Sequence, residues 1–129
     1  MSLPIGKKIL DFSLDTKLYS VMLDLEKLFN EYLDSFYLFG STSKGTRKED
    51  SDIDLLLIVP NVRFSGIEAR RFKRNYTRSL FDLLSKYKID FDLKVYGEFD
   101  FNEACGCNFF EKDICKDLIL VKDVVRLYG

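Results

Sequence analysis

Apolar residues recur along the chain with two different spacings. Helical spacing runs through about residues 15–34 and again from about Ser65 to Lys86, which predicts two amphipathic helices. Short, nearly continuous apolar runs over residues 35–39 and 53–59 predict buried strands, and Pro60 ends the second run. The chain up to Lys86 therefore predicts the order helix, strand, strand, helix.

The remainder of the chain predicts a third strand, a third helix and a last strand. Residues 89–96 alternate between apolar and polar side chains, as in a strand with one buried face. We expect a helix from Asn108 to about Leu120 and a final edge strand from Val124 to Tyr128. Together these elements predict an α/β fold in which helices cover a small mixed sheet of about four strands. A single domain would span residues 1–129, with the N-terminal helix at about 15–34 and the core region at about 35–129.

Composition excludes several classes of site. The chain has 129 residues, no histidine and a formal net charge of −1. An imidazole base, a Ser-His-Asp triad and a histidine-ligated zinc are therefore excluded, and the net charge gives no bias toward nucleic acid or membrane. Cys105, Cys107 and Cys115 lack the spacing of a closed zinc site, and we expect them to be reduced thiols in a cytoplasmic protein. No apolar run approaches the length of about 20 residues that a membrane helix needs.

The segment from Gly40 to Asp54 carries the clearest chemical signal. A glycine–serine pair follows the aromatic run at residues 36–39, and Asp52 and Asp54 open the most hydrophobic stretch of the chain. Strand alternation directs both aspartates to one face, about 7 Å apart along the backbone. Because two carboxylates at this spacing repel each other, we expect a cation between them. Metal-dependent phosphoryl transfer is the natural candidate reaction.

Two other phosphate or metal motifs do not fit this segment. A Walker A loop fails because Thr46 and Arg47 follow Gly45 where lysine and serine or threonine are required. A calcium-binding EF-hand loop fails because Leu55 stands at the position of the turn glycine. A polar loop whose glycines merely permit a turn remains the structural alternative.

The spacing of Gly40-Ser41, ten further residues and Asp52-Ile53-Asp54 resembles the signature of the DNA polymerase β-like nucleotidyltransferase superfamily. The short chain resembles the minimal nucleotidyltransferase branch, and the likeness extends from about Phe36 to Tyr128. It implies a palm-like nucleotidyltransferase fold and a third carboxylate on a later strand. Asp92 aligns best with that position, and Asp90, one step along the same face, is the alternative.

The resemblance also implies the chemistry of the site. Asp52, Asp54 and Asp92 would hold two Mg²⁺ ions, with Mn²⁺ as an alternative. The turn at Gly40 and Ser41 would hold the phosphates of ATP or another nucleoside triphosphate. The nucleoside monophosphate would pass to an acceptor hydroxyl, and pyrophosphate would leave. Inside the same loop, Lys44 and Arg47 are further candidates for phosphate binding, and their alternative role is to keep the loop soluble.

The resemblance further implies a partner. Minimal relatives work with a small helical protein of the HEPN type, and some are antitoxins that transfer AMP to a tyrosine of that toxin. Protein adenylylation is therefore the leading specific hypothesis. A non-catalytic module that binds its partner and a small-molecule nucleotidyltransferase are the alternatives. Nucleic acid and membrane are not required on this interpretation, and a homo-oligomer is left open.

A basic cluster follows the second predicted strand. It consists of Arg63, Arg70, Arg71, Lys73, Arg74 and Arg78, of which Arg70, Arg74 and Arg78 form a stripe at helical spacing. The stripe predicts either the solvated face of an amphipathic helix or a surface for triphosphate, nucleic acid or an acidic partner.

Overall fold

A computed structural model describes residues 16–40, 52–107, 115 and 118–128 of the chain. The helices in this part of the chain are α1 (Thr16–Leu28), α2 (Gly66–Ser85), α3 (Glu98–Cys107) and α4 (Val121–Tyr128), with a 3-10 helix at Asn30–Ser35. The strands are β1 (Phe36–Leu38), β2 (Ile53–Val59), β3 (Phe91–Gly97) and β4 (Ile119–Leu120).

The four strands form one mixed sheet in the order β3-β2-β1-β4. Strand β1 pairs antiparallel with β2 and β4, whereas β2 and β3 pair in parallel. A parallel pair needs a crossover connection, which α2 supplies between β2 and β3. The predicted α/β fold with a small mixed sheet is confirmed.

Helices cover one face of the sheet with a continuous apolar core. Strand residues Ile53, Leu55 and Leu57 meet side chains of α1, α2 and α4 in this core. A smaller apolar cluster covers the opposite face and joins Leu56 and Ile58 of β2 to Phe101 of α3. Because β2 is buried on both sides, it reads in the sequence as an almost unbroken apolar run.

Stacked aromatic rings join α1, β1 and α2. Phe29 follows the end of α1 and is fully buried. Its ring centroid lies 4.0 Å from that of Phe36 and 4.6 Å from that of Tyr76, with interplanar angles of 23° in both pairs. Three elements therefore share one aromatic contact, which holds the first helix against the sheet.

A polar contact ties the turn after α2 to α1. The Tyr87 hydroxyl donates a hydrogen bond to Asp24 Oδ2 at 2.6 Å, and Lys86 Nζ lies 3.3 Å from the same oxygen. The bond from Tyr87 and the cation of Lys86 lower the pKa of Asp24, while the same bond raises the pKa of Tyr87.

Helix α2 begins with a capping box. Glu68 donates its backbone N–H to Ser65 Oγ, and Glu68 Oε1 accepts the Ser65 backbone N–H. Because these bonds stabilise the carboxylate, the pKa of Glu68 is lowered. The predicted second helix from Ser65 to Lys86 thus begins and ends within one residue of the observed one.

The predicted final strand at Val124–Tyr128 is wrong, because these residues belong to helix α4. Buried Val121 and Val124 are three residues apart and face α1 in the main core, while charged residues lie between them. A short β-branched run does not by itself distinguish a strand from a buried helix. The strand at this edge of the sheet is instead β4, in which Leu120 pairs with Tyr37 and Ile119 with Leu38.

Two other predicted helices differ from the helices in the structure. The first helix ends at Leu28, and residues to Ser35 continue as a 3-10 helix, so the predicted helix at about 15–34 is divided. The helix predicted from Asn108 to Leu120 is wrong at its end, where β4 lies, and its residues 108–114 and 116–117 lie outside the described part of the chain. Helix α3 lies earlier and was not predicted.

The expectation of reduced thiols is wrong for one pair of cysteines. Cys105 of α3 and Cys115 form a disulfide with their Cα atoms 6.2 Å apart, and both residues pack against the smaller apolar cluster. Residues 105–107 lie in the last turn of α3. Among the helices that the structure describes, none is long and apolar enough to cross a membrane.

Replacement of Phe29 by alanine should reduce the free energy of unfolding by about 3–5 kcal/mol, because a large buried ring is removed from a packed core. Phe81→Ala is the matched control. The Phe81 side chain is 63% exposed on α2, so its loss should change stability by no more than about 0.5 kcal/mol. Denaturant unfolding of the two variants measures both values. Equal losses would contradict the assignment of Phe29 to the core.

The Tyr87→Phe variant should lose less than about 1 kcal/mol at neutral pH, because the Tyr87–Asp24 bond is partly exposed to solvent. The lowered pKa of Asp24 stabilises the fold above its ordinary value of 3.8, and this contribution is lost as the pH falls through the lowered value. The raised pKa of Tyr87 stabilises the fold below 10.0, and this contribution is lost as the pH rises through the raised value. The difference between wild type and variant should therefore be largest between these limits, as measured by urea unfolding at several pH values. If the free energy of unfolding differed between wild type and variant by the same amount from pH 3 to 11, the role of this hydrogen bond would be contradicted.

Candidate active site

The parallel pairing of β2 and β3 places two aspartates side by side. Asp54 of β2 is the register partner of Asp92 of β3. Neighbouring strands lie about 4.8 Å apart, so in-register side chains on one face are direct neighbours. Asp54 is half-buried, and the side chain of Asp92 is 45% exposed. The two carboxylates therefore meet at an accessible position on the sheet.

This pair lies on the less covered face of the sheet. Ile53 and Leu55 belong to the main core beneath the helices, whereas Leu56 belongs to the smaller cluster on the opposite face. Strand alternation places Asp54 on the face of Leu56. Asp52 directly precedes β2, is exposed, and by the same alternation lies on the face of Asp54.

Asp90 lies directly before the first residue of β3, two residues before Asp92. It precedes the strand and is exposed, and its carbonyl accepts the backbone N–H of Ile53 at 2.9 Å. The register pairs Asp54 with Asp92 rather than with Asp90. This pairing favours Asp92 as the third carboxylate, and the assignment stays a prediction.

The glycine of the sequence motif lies directly against Asp54. Gly40 has a φ of +61°, and a Cβ atom built on it would lie 2.7 Å from Asp54 Oδ2. The neighbouring Phe39 donates its backbone N–H to the carbonyl of Asp54 at 3.1 Å. Both the left-handed backbone and the close carboxylate require glycine here. The structure thus brings the turn at Gly40 and the carboxylate at Asp54 together.

Three of the predicted nucleotide-binding residues cannot be placed. Ser41, Lys44 and Arg47 lie outside the described residues, in the segment between β1 and β2. Their assignment therefore stays a prediction, carried by the sequence alone.

A lysine that was given no role in the sequence analysis lies beside the site. Lys94 Nζ is 4.0 Å from Asp92 Oδ2, and its side chain is 29% exposed. The sequence could have indicated this proximity, because Asp92 and Lys94 are two residues apart on β3 and such residues lie on the same face of a strand. Lys94 therefore places a positive charge next to Asp92.

The acidic residues offer the donor atoms that a hard cation prefers. Asp52, Asp54 and Asp92 supply only carboxylate oxygens, which suit Mg²⁺ or Mn²⁺. In the described part of the chain, however, no three acidic or cysteine side chains are grouped closely enough to hold one metal ion. The structure therefore brings Asp54 and Asp92 together as a pair, with Asp52 exposed beside them.

Comparison with known proteins identifies one family. The family model described as a nucleotidyltransferase domain matches residues 21–123, which is more than three quarters of the chain. The match includes Gly40, the three aspartates and all of β1, β2 and β3. No curated protein matches the chain.

Substitution of Gly40 by alanine should reduce the free energy of unfolding by at least the cost of the left-handed conformation, about 1–2 kcal/mol. Contact with Asp54 adds to this loss, so Gly40→Ala combined with Asp54→Ala should cost less than the sum of the two single variants. Gly66→Ala is the matched control, because its Cβ would meet no atom within 4 Å. Denaturant unfolding of the four variants tests the contact. Strict additivity would show that Gly40 and Asp54 do not touch.

Proposed function

The chain belongs to the nucleotidyltransferase domain family, and we propose that it transfers a nucleoside monophosphate, with ATP as the donor, to an acceptor hydroxyl. The observation that carries this proposal is the register of Asp54 with Asp92 beside the left-handed turn at Gly40. Nucleotidyl transfer needs carboxylates next to a turn that holds phosphate oxygens. The sheet supplies Asp54 and Asp92, and the turn at Gly40 would hold the phosphates.

The bond changes balance as follows. The acceptor oxygen forms a bond to the α-phosphorus of the nucleoside triphosphate. The bond from the α-phosphorus to the oxygen that bridges it to the β-phosphorus breaks, and pyrophosphate leaves with that electron pair. The hydroxyl proton passes to a carboxylate, for which we propose Asp92. Its side chain is 45% exposed, so an acceptor can reach it.

The other residues position the reactants. Gly40 lets the turn approach Asp54 closely, and the backbone N–H groups of this turn would hold phosphate oxygens. Lys94, next to Asp92, places a positive charge on the side from which the acceptor would enter. Ser41, Lys44 and Arg47 would complete the phosphate contacts from the loop before β2.

Divalent cations are part of the proposal. Asp52, Asp54 and Asp92 would hold Mg²⁺, two ions by resemblance to the superfamily, and Mn²⁺ could replace it. Such ions neutralise the charge of the triphosphate and lower the pKa of an acceptor hydroxyl. A requirement for divalent cations is consistent with a chain that contains no histidine to act as a general base.

The resemblance to the minimal branch supplies one candidate acceptor. It is a tyrosine of a small helical HEPN-type protein, which the chain would adenylylate as an antitoxin. An ATP-dependent transferase of this kind would act in the cytoplasm, where ATP is available. In that compartment the Cys105–Cys115 disulfide would be open to reduction.

A second candidate function is partner binding without catalysis. The observation that favours it is the exposure of two large apolar side chains on α2, Ile67 at 58% and Phe81 at 63%. Exposed apolar groups of this size are common at protein interfaces. Under this alternative the acidic pair would be dispensable.

The Asp54→Asn variant should abolish transfer and leave thermal stability unchanged or raised. Loss of one of two adjacent carboxylates removes a ligand and also removes a repulsion. Incubation with α-labelled ATP, Mg²⁺ and the protein encoded beside this chain measures transfer, and thermal unfolding in metal-free buffer measures stability.

Two results would contradict the proposal. If the variant neutralised its partner as well as wild type did and neither protein transferred label, partner binding would replace catalysis. If the Asp54→Asn variant lost thermal stability in metal-free buffer, Asp54 would have a structural role. Glu31→Gln is a suitable control, because Glu31 is an exposed acidic residue in the 3-10 helix and lies on another element.

A further inference from the structure

A cavity lies on the sheet face that α3 covers, at the opposite end of β2 from Asp54. Its volume is about 380 Å³. Apolar and aromatic side chains form much of its lining, among them Tyr37 of β1, Ile58 of β2 and Phe101 of α3. The same three residues belong to the smaller apolar cluster or pack against it. Because small-molecule sites have volumes of about 300–1,000 Å³, the cavity is large enough for a small ligand.

The cavity is separate from the candidate active site. Ile58 follows Asp54 by four residues on β2. A strand rises about 3.3 Å per residue, so about 13 Å of strand lie between the two side chains. Neither Asp54 nor Asp92 nor Gly40 lines the cavity. A ligand in the cavity would therefore not occupy the position of the carboxylate pair.

The polar part of the lining is acidic. Asp34 of the 3-10 helix and Glu98, the first residue of α3, line the cavity together with the uncharged Ser35 and Asn102. None of the described residues that line it is basic. The N-terminus of α3 contributes about half a positive charge, which the carboxylate of Glu98 alone exceeds. The cavity thus combines an apolar body with a negative potential.

The two carboxylates differ in what they already bind. Asp34 forms an ion pair with Lys122 of α4, and its side chain is 89% exposed. Glu98 is half-buried, and its Oε1 accepts the backbone N–H of Asn61 at 2.8 Å. Of the ion pairs between described residues, none involves Glu98. Glu98 is therefore the carboxylate that the cation of a ligand can approach.

The ring of Tyr37 lies in the same negative potential. Burial raises the pKa of the Tyr37 hydroxyl above its ordinary value of 10.0. Nearby carboxylates raise this pKa further, those of Asp34, Asp123 and Glu98, whereas Lys122 has a smaller and opposite effect. Acidic groups thus dominate the electrostatics around the ring although one of them is paired with a lysine.

We propose that this cavity binds a small organic cation, an ammonium group carried on an aromatic or aliphatic body. The ammonium group would lie near Glu98 and the ring of Tyr37, and the body would pack on Ile58 and Phe101. The face of an aromatic ring attracts a cation, and burial of the apolar body adds to the binding. This site is additional to the one used in the proposed function and does not depend on that function.

The lining favours an organic cation over three other kinds of ligand. An anion would be repelled by the carboxylates of Asp34 and Glu98. A neutral apolar molecule would cover Glu98 without giving its charge a partner. A divalent metal ion needs six or more oxygen ligands, and in the described part of the chain no three acidic or cysteine side chains are grouped closely enough to hold one.

The dependence on ligand charge can be measured with three probes of the same shape. Phenylpropylamine is a cation at neutral pH, and phenylpropanol and phenylpropionate are its neutral and anionic counterparts. Each is titrated into isotope-labelled protein, and backbone amide shifts are followed by NMR. A cation of about ten non-hydrogen atoms should bind with a Kd on the order of 1 mM, the alcohol more weakly and the anion not at all. Shifts are expected at Tyr37, Ile58 and Asn102 and not at Gly40 or Asp92.

Three substitutions test the parts of the site. Glu98→Gln removes the charge and keeps an oxygen for the bond from Asn61, so it should weaken binding of the amine about tenfold and leave binding of phenylpropanol unchanged. Lys122→Gln releases Asp34 from its ion pair and should strengthen binding of the amine about threefold. Tyr37→Leu should weaken it about threefold, whereas Tyr37→Phe keeps the ring and should leave it unchanged.

Matched controls remove one acidic charge elsewhere. Asp82 is exposed on α2, which packs on the other face of the sheet, and Asp82→Asn and Asp54→Asn should both leave affinity for the amine unchanged. If either weakened binding as much as Glu98→Gln does, net charge or the candidate active site would account for binding, and the proposal would be overturned.

Two further results would overturn the site. Equal binding of the amine and phenylpropionate would reduce it to an apolar cavity, and absence of binding at about 10 mM amine would remove it altogether. Because Glu98→Gln changes no packing, the test holds even if Tyr37→Leu does not fold. Failure of the proposed function is a separate result, since it appears as loss of nucleotidyl transfer and not as loss of amine binding.

Discussion

The parallel register between β2 and β3 is the constraint on which the site depends. It makes Asp54 and Asp92 neighbours although the whole of α2 separates them in sequence. A shift of one residue would turn the aspartates toward the apolar core and bring core residues to the open face. Burial of Ile53, Leu55 and Leu57 under the helices therefore fixes the register, and the register fixes the carboxylate pair. Packing on one face of the sheet determines the chemistry on the other.

Adjacent carboxylates are unfavourable for the fold by themselves. Their mutual repulsion is moderated by partial exposure of Asp92 to water and by Lys94, 4.0 Å away. Gly40 adds a second local cost, because glycine loses more backbone entropy on folding than other residues and contributes no side-chain packing. Unfavourable features concentrated at one point of an otherwise apolar sheet are typical of functional sites.

Much of the fold followed from the sequence because the decisive elements are strongly periodic. The bounds of β2 were predicted to the residue, since a long apolar run ended by Pro60 has no other satisfactory placement. Helix α2 was located by its apolar stripe. The C-terminal region was less predictable, because Val124 and Val125 suit either a strand or a short buried helix. Only contact with α1 decides between them, and that contact is not local in sequence. Similarly, the pairing of Cys105 with Cys115 depends on how α3 packs. The sequence named Asp54 and Asp92 as candidates, whereas their pairing in register and the proximity of Lys94 to Asp92 required the structure.

The crossover through α2 also determines the order in which the strands can pair during folding. Antiparallel β1 and β2 are close in sequence, whereas β2 and β3 can pair only after α2 has crossed the sheet and its long loop has been closed. Non-local pairings of this kind form slowly compared with local ones. During synthesis on the ribosome, a nascent chain that has emerged only as far as α2 holds Asp54 without Asp92. The pair of Asp54 and Asp92 therefore forms only once β3 has docked against β2.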